Sequence, residues 1–423
     1  MPNFHLDLVM SRIAIIGAGI TGVTTAYALA ERGHDVTVFE RHRYAAMETS
    51  FANGGQLSAS NAEVWNSMAT VLKGLRWMFT RDAPLLLNPA PSWHKYSWMG
   101  EFLRQIPNYR ANTIETVRLA IAAREHLFGI AEREGIDFDL EQRGILHMYQ
   151  QKKAFDAAAK VNLLLQSGGL DRRAVTGDEM RAIEPTLQGD FHGGFFTPSD
   201  STGDIHKFTR GLSSACERLG VKFHYDTEVT SVIAKKPGAV IVEAASQTHQ
   251  FDNVVICAGV GSRRFASLLG DHVNVYPVKG YSITVCLDDP QSQEAAPWVS
   301  LLDDKAKIVT SRLGADRFRV AGTAEFNGVN RDIRADRVAP LVDWTRKHFP
   351  GAATSRVIPW AGLRPMLPNM LPRVGKGRLP GVFYNTGHGH LGWTLSAATA
   401  EATAEAITAG AGAEARTSVL LSN

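Results

Sequence analysis

The clearest pattern lies near the start of the chain. Ile13-Ala14-Ile15-Ile16 is an unbroken apolar run, the mark of a strand buried on both faces. It leads into Gly17-Ala18-Gly19-Ile20-Thr21-Gly22, after which Ala26, Leu29 and Ala30 recur at helical spacing. The spacing predicts a helix over 20–32 that stops at Gly33, a residue free to adopt the left-handed conformation that ends helices. A second apolar strand, Val36-Thr37-Val38-Phe39, closes on an acid, Glu40.

Further along, Val71, Leu72, Leu75, Met78 and Phe79 fall at helical spacing, and Pro84, Pro89 and Pro91 then break the chain. Ile114, Val117, Ile121 and Leu127 predict a longer helix ending near Gly135, followed by a strand over Gly144–Tyr149. Phe195 and Phe196 lie in a short strand, and Asp204 is placed to cap a helix through Leu219. Strands are predicted at 221–225, 228–233 and 254–257, then at 275–285, 307–310 and 318–321. Trp344 begins no motif, and an Ala- and Thr-rich helix closes the chain. The alternation of strands with helices gives an α/β protein. Its length of 423 residues calls for two domains. We expect a nucleotide domain from 11–65, 186–268 and 356–412, with a substrate domain from 66–185 and 269–355 inserted into it.

Strand, glycine turn, helix and strand-terminal acid suit a dinucleotide whose pyrophosphate rests on a helix N-terminus. Gly17 permits the tight turn, Gly19 has no side chain to block phosphates, and Gly22 lets helix and strand approach. Glu40 is placed to accept hydrogen bonds from the ribose hydroxyls. An ordinary strand–turn–helix would give no reason for that acid.

Composition narrows the rest. The chain is 44% hydrophobic and 21% charged, an ordinary globular balance, and a net charge of +3 gives no case for nucleic acid. Cys216, Cys257 and Cys286 form no CxxC pair, which argues against an iron–sulfur or zinc centre and suits a reducing cytoplasm. The stretch Met1–Met10 mixes His5 and Asp7 into its apolar residues and does not look like a leader. The stripe Val71–Phe79 carries Lys73 and Arg76, a basic amphipathic pattern that a membrane surface would accept, although such a stripe is more often core.

Four further motifs join the glycine turn. They are Glu48-Thr49-Ser50-Phe51-Ala52-Asn53-Gly54-Gly55-Gln56-Leu57-Ser58, Pro277-Val278-Lys279-Gly280-Tyr281-Ser282, Gly362-Leu363-Arg364-Pro365-Met366, and Asn385-Thr386-Gly387-His388-Gly389-His390-Leu391-Gly392-Trp393-Thr394. Together they resemble the bacterial D-amino acid dehydrogenases of the FAD-dependent amino acid oxidoreductase superfamily, from Arg12 to about Gly410. The resemblance implies a Rossmann-like FAD-binding domain of the glutathione-reductase type, with a substrate domain on a mixed, largely antiparallel sheet plus helices. It implies oxidation of a D-amino acid to an imino acid by hydride transfer from Cα to flavin N5, then hydrolysis to a 2-oxo acid and ammonia. Electrons would pass to a quinone or another non-oxygen acceptor, in an enzyme that is cytoplasmic or peripheral on the inner face of the membrane. The alternative substrate is a secondary amine such as D-proline, hydroxyproline or an N-substituted glycine. No cysteine follows Cys286, and Ala52 and Asn53 stand where some relatives carry a histidine, so the FAD is expected to be non-covalent.

The resemblance places Arg364 on the substrate carboxylate, which a guanidinium grips with two parallel hydrogen bonds. Tyr281 is a candidate to bond that carboxylate or to close the site, and Lys279 is expected to be solvated or near phosphate. His388 and His390 are candidates to line the pocket rather than to move protons, and His390 stands where a small polar residue is more usual. Thr49, Ser50, Asn53, Gly54, Gly55, Gln56 and Leu57 would lie under the ribityl chain and pyrophosphate, with Ile20 and Thr21 at the helix start. Val229, Ala258 and Gly259 offer backbone to the cofactor, and Arg41 a contact near the ribose. Gly387, Gly389, Leu391, Gly392, Trp393 and Thr394 form the turn facing the flavin, and no carboxylate or cysteine stands near the two histidines to make a metal site.

Overall fold

The computed structural model describes residues 10–77, 84–236 and 238–409, with 75–77 described by backbone alone. The end of the predicted stripe, Met78 and Phe79, lies outside these residues. Two large sheets organise the chain. The first runs, in spatial order, Arg373–Lys376, Val382–Thr386, Asn253–Ile256, Arg12–Ile16, Asp35–Phe39 and Lys222–His224. All its pairings are parallel except the antiparallel pair Arg373–Lys376 with Val382–Thr386.

Its central strand explains the unbroken apolar run. Ile13 and Ile15 pack into a core with Val23, Leu29, Phe208, Trp393 and Ile407, on helices Ile20–Ala30, Ile205–Arg218 and Gly392–Ala409. Ala14 and Ile16 face the other way, against Val232, Val240 and Val242 of a small antiparallel sheet spanning 229–251. Alternate side chains of one strand thus enter two separate cores.

The second sheet runs Val357–Met366, Tyr276–Cys286, Arg317–Phe326, Ile308–Leu313, Ser300–Asp303, Ile145–Tyr149, Gly193–Thr197 and Arg173–Thr176, and Leu85–Leu87 pairs with Arg317–Phe326. It is antiparallel but for two pairings, Ser300–Asp303 with Ile145–Tyr149 and the Leu85–Leu87 pair. Helix Ala335–His348 covers one face through Leu341 and Trp344. The Trp344 indole N–H donates to Asp303 at 3.0 Å, so this residue joins helix to sheet.

Sheet membership moves two expected boundaries. Gly193–Thr197 and Val357–Met366, assigned above to the nucleotide domain, hydrogen-bond within the second sheet. Pattern shows that a segment is a strand but not which partner it takes. The local punctuation agrees with expectation more closely. Helix Ile20–Ala30 ends two residues early, and Gly33 has φ +78°. Gly135, at φ +61°, closes helix Tyr109–Glu134. The Asp204 carboxylate accepts from the backbone N–H groups of His206 and Lys207, capping its helix.

Candidate active site

A cavity of about 920 Å³ runs between the two sheets. Its nucleotide end follows the geometry of the glycine turn. A Cβ on Gly22 would lie 1.9 Å from the Gly17 carbonyl oxygen, and one on Gly17 2.8 Å from that of Cys257. A Cβ on Gly19 would meet only Ser50 Oγ, at 3.5 Å, and one on Gly259 nothing within 4 Å. Gly17 and Gly22 therefore serve packing, while Gly19 and Gly259 keep a cradle open. The first-turn amides of Ile20–Ala30 have no intrahelical acceptor, because their acceptors would precede the helix. Ser50 Oγ accepts the Ile20 N–H at 3.0 Å. Glu40 accepts the Ala18 and His42 N–H groups at 2.7 and 3.0 Å, which fixes its carboxylate at the strand end. An open glycine, free helix amides and an oriented acid fit a nucleotide carrying a ribose diol and a pyrophosphate.

Ile20, Thr21, Glu40, Arg41, Val229, Ala258 and Gly259 all line the cavity. Arg41 is engaged with Glu48, which also accepts from His42 at 2.9 Å and Arg331 at 3.1 Å. Burial opposes ionisation of Glu48, yet His42, Arg331 and Arg41 together hold its carboxyl below the usual range. Thr49, Ser50, Asn53, Gly54, Gly55 and Gln56 also line the cavity. Their loop is stitched to the second sheet. Ser282 Oγ donates to Ala52 O at 2.7 Å, Ser311 Oγ to Gly54 O at 2.7 Å and Arg319 Nη1 to Asn53 O at 3.0 Å, while Thr49 Oγ1 donates to Leu363 O at 2.8 Å.

Arg364 lies on the edge strand of the second sheet and lines the cavity. A Cβ on Gly280 would fall 2.3 Å from its Nη2, so the glycine opposite makes room for the guanidinium. Nη1 donates to Thr323 O at 2.9 Å, and among the described residues no carboxylate pairs with the group. Burial draws its pKa down to about 10, which leaves it charged at neutral pH.

The turn facing Arg364 is tied to the same strand by a bridge between Met366 and His388. Gly387, His388, Gly389, His390, Gly392 and Trp393 line the cavity. His388 Nε2 pairs with Thr399 Oγ1 at 3.0 Å, and burial lowers its pKa to about 3. His390 Nε2 pairs with Asn61 O at 3.1 Å, and its ring stacks on Trp65 with centroids 5.1 Å apart. Burial, opposed by the bond to Asn61 and aided by the Arg364 charge, lowers it to about 4. Both rings are neutral wall groups at physiological pH.

Several expected residues differ from expectation. Tyr281 does line the cavity, but its hydroxyl is donated to Glu325 Oε2 at 2.8 Å and its ring packs with Ile283 and Val285. Lys279 and Tyr281, two apart on the strand, both reach Glu325. Lys279 is therefore not solvated. It is fully buried, 3.3 Å from Glu325 and 2.5 Å from Asn330 Oδ1. Gly22, Leu57, Leu391 and Thr394 do not line the cavity. Leu57 and Leu391 pack in cores, and Thr394 Oγ1 accepts the Ser58 N–H at 3.2 Å. Conversely, the cavity includes Asn61, Glu63, Trp65, Tyr109 and Thr323, none of which was singled out. The polar run after Ser58 was the available signal, but nothing in its pattern shows that it turns inward. No cluster of metal-ligating side chains occurs among the described residues.

A parallel-sheet fold whose cavity joins a glycine turn and helix N-terminus to a guanidinium without a carboxylate partner fits a flavoprotein oxidoreductase. The profile of the family described as FAD dependent oxidoreductase matches residues 12–406, and the chain belongs to that family. It is 67% identical over 392 residues to D-amino acid dehydrogenase 3 of Mesorhizobium japonicum, covering 92% of this chain and 95% of that one. It is 39% identical to D-amino acid dehydrogenase of Paramagnetospirillum magneticum, over 94% of each. Glycine oxidase from Geobacillus kaustophilus shares the fold, with a TM-score of 0.74 at 20% identity over 94% of this chain and 95% of that one.

Proposed function

We propose that this chain oxidises D-amino acids to 2-oxo acids and ammonia, using non-covalently held FAD. The observation that carries the reading is Arg364, a charged guanidinium without a carboxylate partner on the cavity that also holds the nucleotide cradle. FAD, when bound, supplies the acceptor for the two electrons leaving Cα. Glu40 would hold the ribose, and the amides at the start of Ile20–Ala30 the pyrophosphate. Cys216, Cys257 and Cys286 are all buried and free, and Ala52 and Asn53 offer no histidine for attachment.

Arg364 takes the substrate carboxylate on its free edge while Thr323 O steadies the other. That anchoring fixes which hydrogen of Cα faces the reacting centre. The amine must be neutral at the moment of transfer, and the neutral rings of His388 and His390 add no charge to the wall beside it. Water then hydrolyses the released imine. We read the onward acceptor as a quinone or another non-oxygen carrier. Exposed Met68 and Leu72 beside Lys73 on helix Met68–Trp77 support peripheral membrane contact, and no described helix is long and apolar enough to cross a membrane.

Anaerobic titration tests the reading. Purified yellow protein is expected to bleach with D-alanine or D-methionine and not with their L-enantiomers. Bleaching only with D-proline or sarcosine, or with no amine, would overturn it.

A further inference from the structure

Beyond Arg364 the cavity carries a carboxyl group that the proposed reaction does not use. Four of its lining carboxylates are accounted for. Glu40 receives two backbone amides, and Glu48 is held by Arg41, His42 and Arg331. Glu228 stands 3.8 Å from Arg264, and Asp304 pairs with Lys307. Glu63 lines the same cavity without an ion pair among the described residues. Tyr109 donates its hydroxyl to Glu63 Oε1 at 2.6 Å, which occupies one oxygen and leaves the other for an incoming donor.

The segment bearing Glu63 is firmly placed. The Ala59 and Ser60 N–H groups both donate to the buried Asp200 carboxylate at 3.0 Å. Asn61 O and the Trp65 ring, two residues to either side of Glu63, both engage His390. His390 in turn lies within the electrostatic reach of Arg364. A fixed cation, two aromatic faces and an unpaired carboxylate thus succeed one another along the wall. Lys307, Lys73 and Arg172 line the same cavity and act on Glu63 through charge, but none forms an ion pair with it among the described residues: Lys307 is paired with Asp304, and Arg172 lies over the Phe195 ring at 4.8 Å. Burial pushes the Glu63 carboxyl upward and Asp304 adds to this, while Tyr109, Lys307 and Lys73 oppose it without offsetting it, so a cation bonded to the free oxygen would further stabilise its charge.

Resting on the functional reading above, we propose that Glu63 selects D-amino acids with a cationic side chain, the lysine and arginine class. Arg364 holds the carboxylate at one end and Glu63 the ammonium or guanidinium at the other, with the methylene stem along Trp65. Flavin reduction measured anaerobically with D-lysine, D-norleucine and D-glutamate tests this, since norleucine has the same stem without the charge. The wild type is expected to prefer D-lysine over D-norleucine by at least about 10-fold in kcat/KM. In Glu63→Gln that ratio is expected to collapse by about 10- to 100-fold, through KM for D-lysine, and Glu63→Asp to restore part of it. D-norleucine serving as well as D-lysine in the wild type would overturn the assignment without needing any variant. So would a preference for D-glutamate, or an equal loss for both substrates in Glu63→Gln. If D-norleucine bleaches the flavin while D-lysine does not, the specificity assignment alone fails. Failure of every D-amino acid removes the functional reading as well.

Discussion

At Arg364 an unpaired charge sits where burial makes charge expensive, and burial alone draws its pKa down to about 10. Arg364→Ala is expected to raise KM for any D-amino acid by about 100-fold while the protein stays yellow, as steady-state kinetics and flavin absorbance would show. Arg364→Lys is expected to recover little of this, because a point charge lacks the two-pronged donor geometry. The two histidines give a pH prediction with a definite sign. Their folded pKa values lie near 3 and 4, below the ordinary 6.5 that the unfolded chain would show. Above 6.5 they contribute no pH dependence. As pH falls from 6.5 toward 4 the unfolded chain takes up protons that the native state refuses, so stability declines. The denaturation midpoint should therefore fall less across that range in His388→Gln and His390→Gln than in the wild type. The kcat/KM profile should show no inflection from either ring over about pH 5 to 8.

Helix ends and tight turns are the elements whose physics is local, and they were the most legible. The Gly17–Gly22 turn, the stop at Gly135 and the Asp204 cap each depend on a few neighbouring residues. Gly22→Ala would drive a methyl to within 1.9 Å of the Gly17 carbonyl oxygen, so the helix must part from the strand. We expect a lower melting temperature and loss of flavin on gel filtration. Asp204→Ala is expected to cost more than the roughly 1 kcal/mol of a lone cap, because Asp204 also pairs with Arg317 at 2.7 Å. The surroundings of Tyr281 are less legible, for the opposite reason. Its strand was evident, but which face meets the cavity is decided by pairing with Arg317–Phe326 and Val357–Met366, strands far off in sequence. Helices Trp93–Arg104, Lys152–Ser167 and Ala335–His348 went unread. The last even carries Pro340 inside it, so packing on the second sheet overrides a breaker. Glu63 and Trp65 sit in a coil whose inward turn is fixed by Asp200 and His390, partners with no trace in the local pattern.

Across the whole molecule, the loop 49–58 hydrogen-bonds to the second sheet while its Ser50 meets the helix of the first. The residues proposed to hold the cofactor therefore also dock the two halves. Stripping the flavin is expected to lower the melting temperature, and added FAD to restore about 2.7 kcal/mol at a hundredfold excess over its Kd. A melting temperature indifferent to FAD would show that the halves hold together without it. The bridge from Met366 to His388 has a further effect. Arg364 stands two residues before one end of that bridge, and the glycine turn flanks the other. On the proposed reading, this one bridge sets how far the amino acid's anchor lies from the redox ring. Insertions elsewhere can reshape the pocket, but one between Met366 and His388 risks spoiling reactivity even where both ligands still bind.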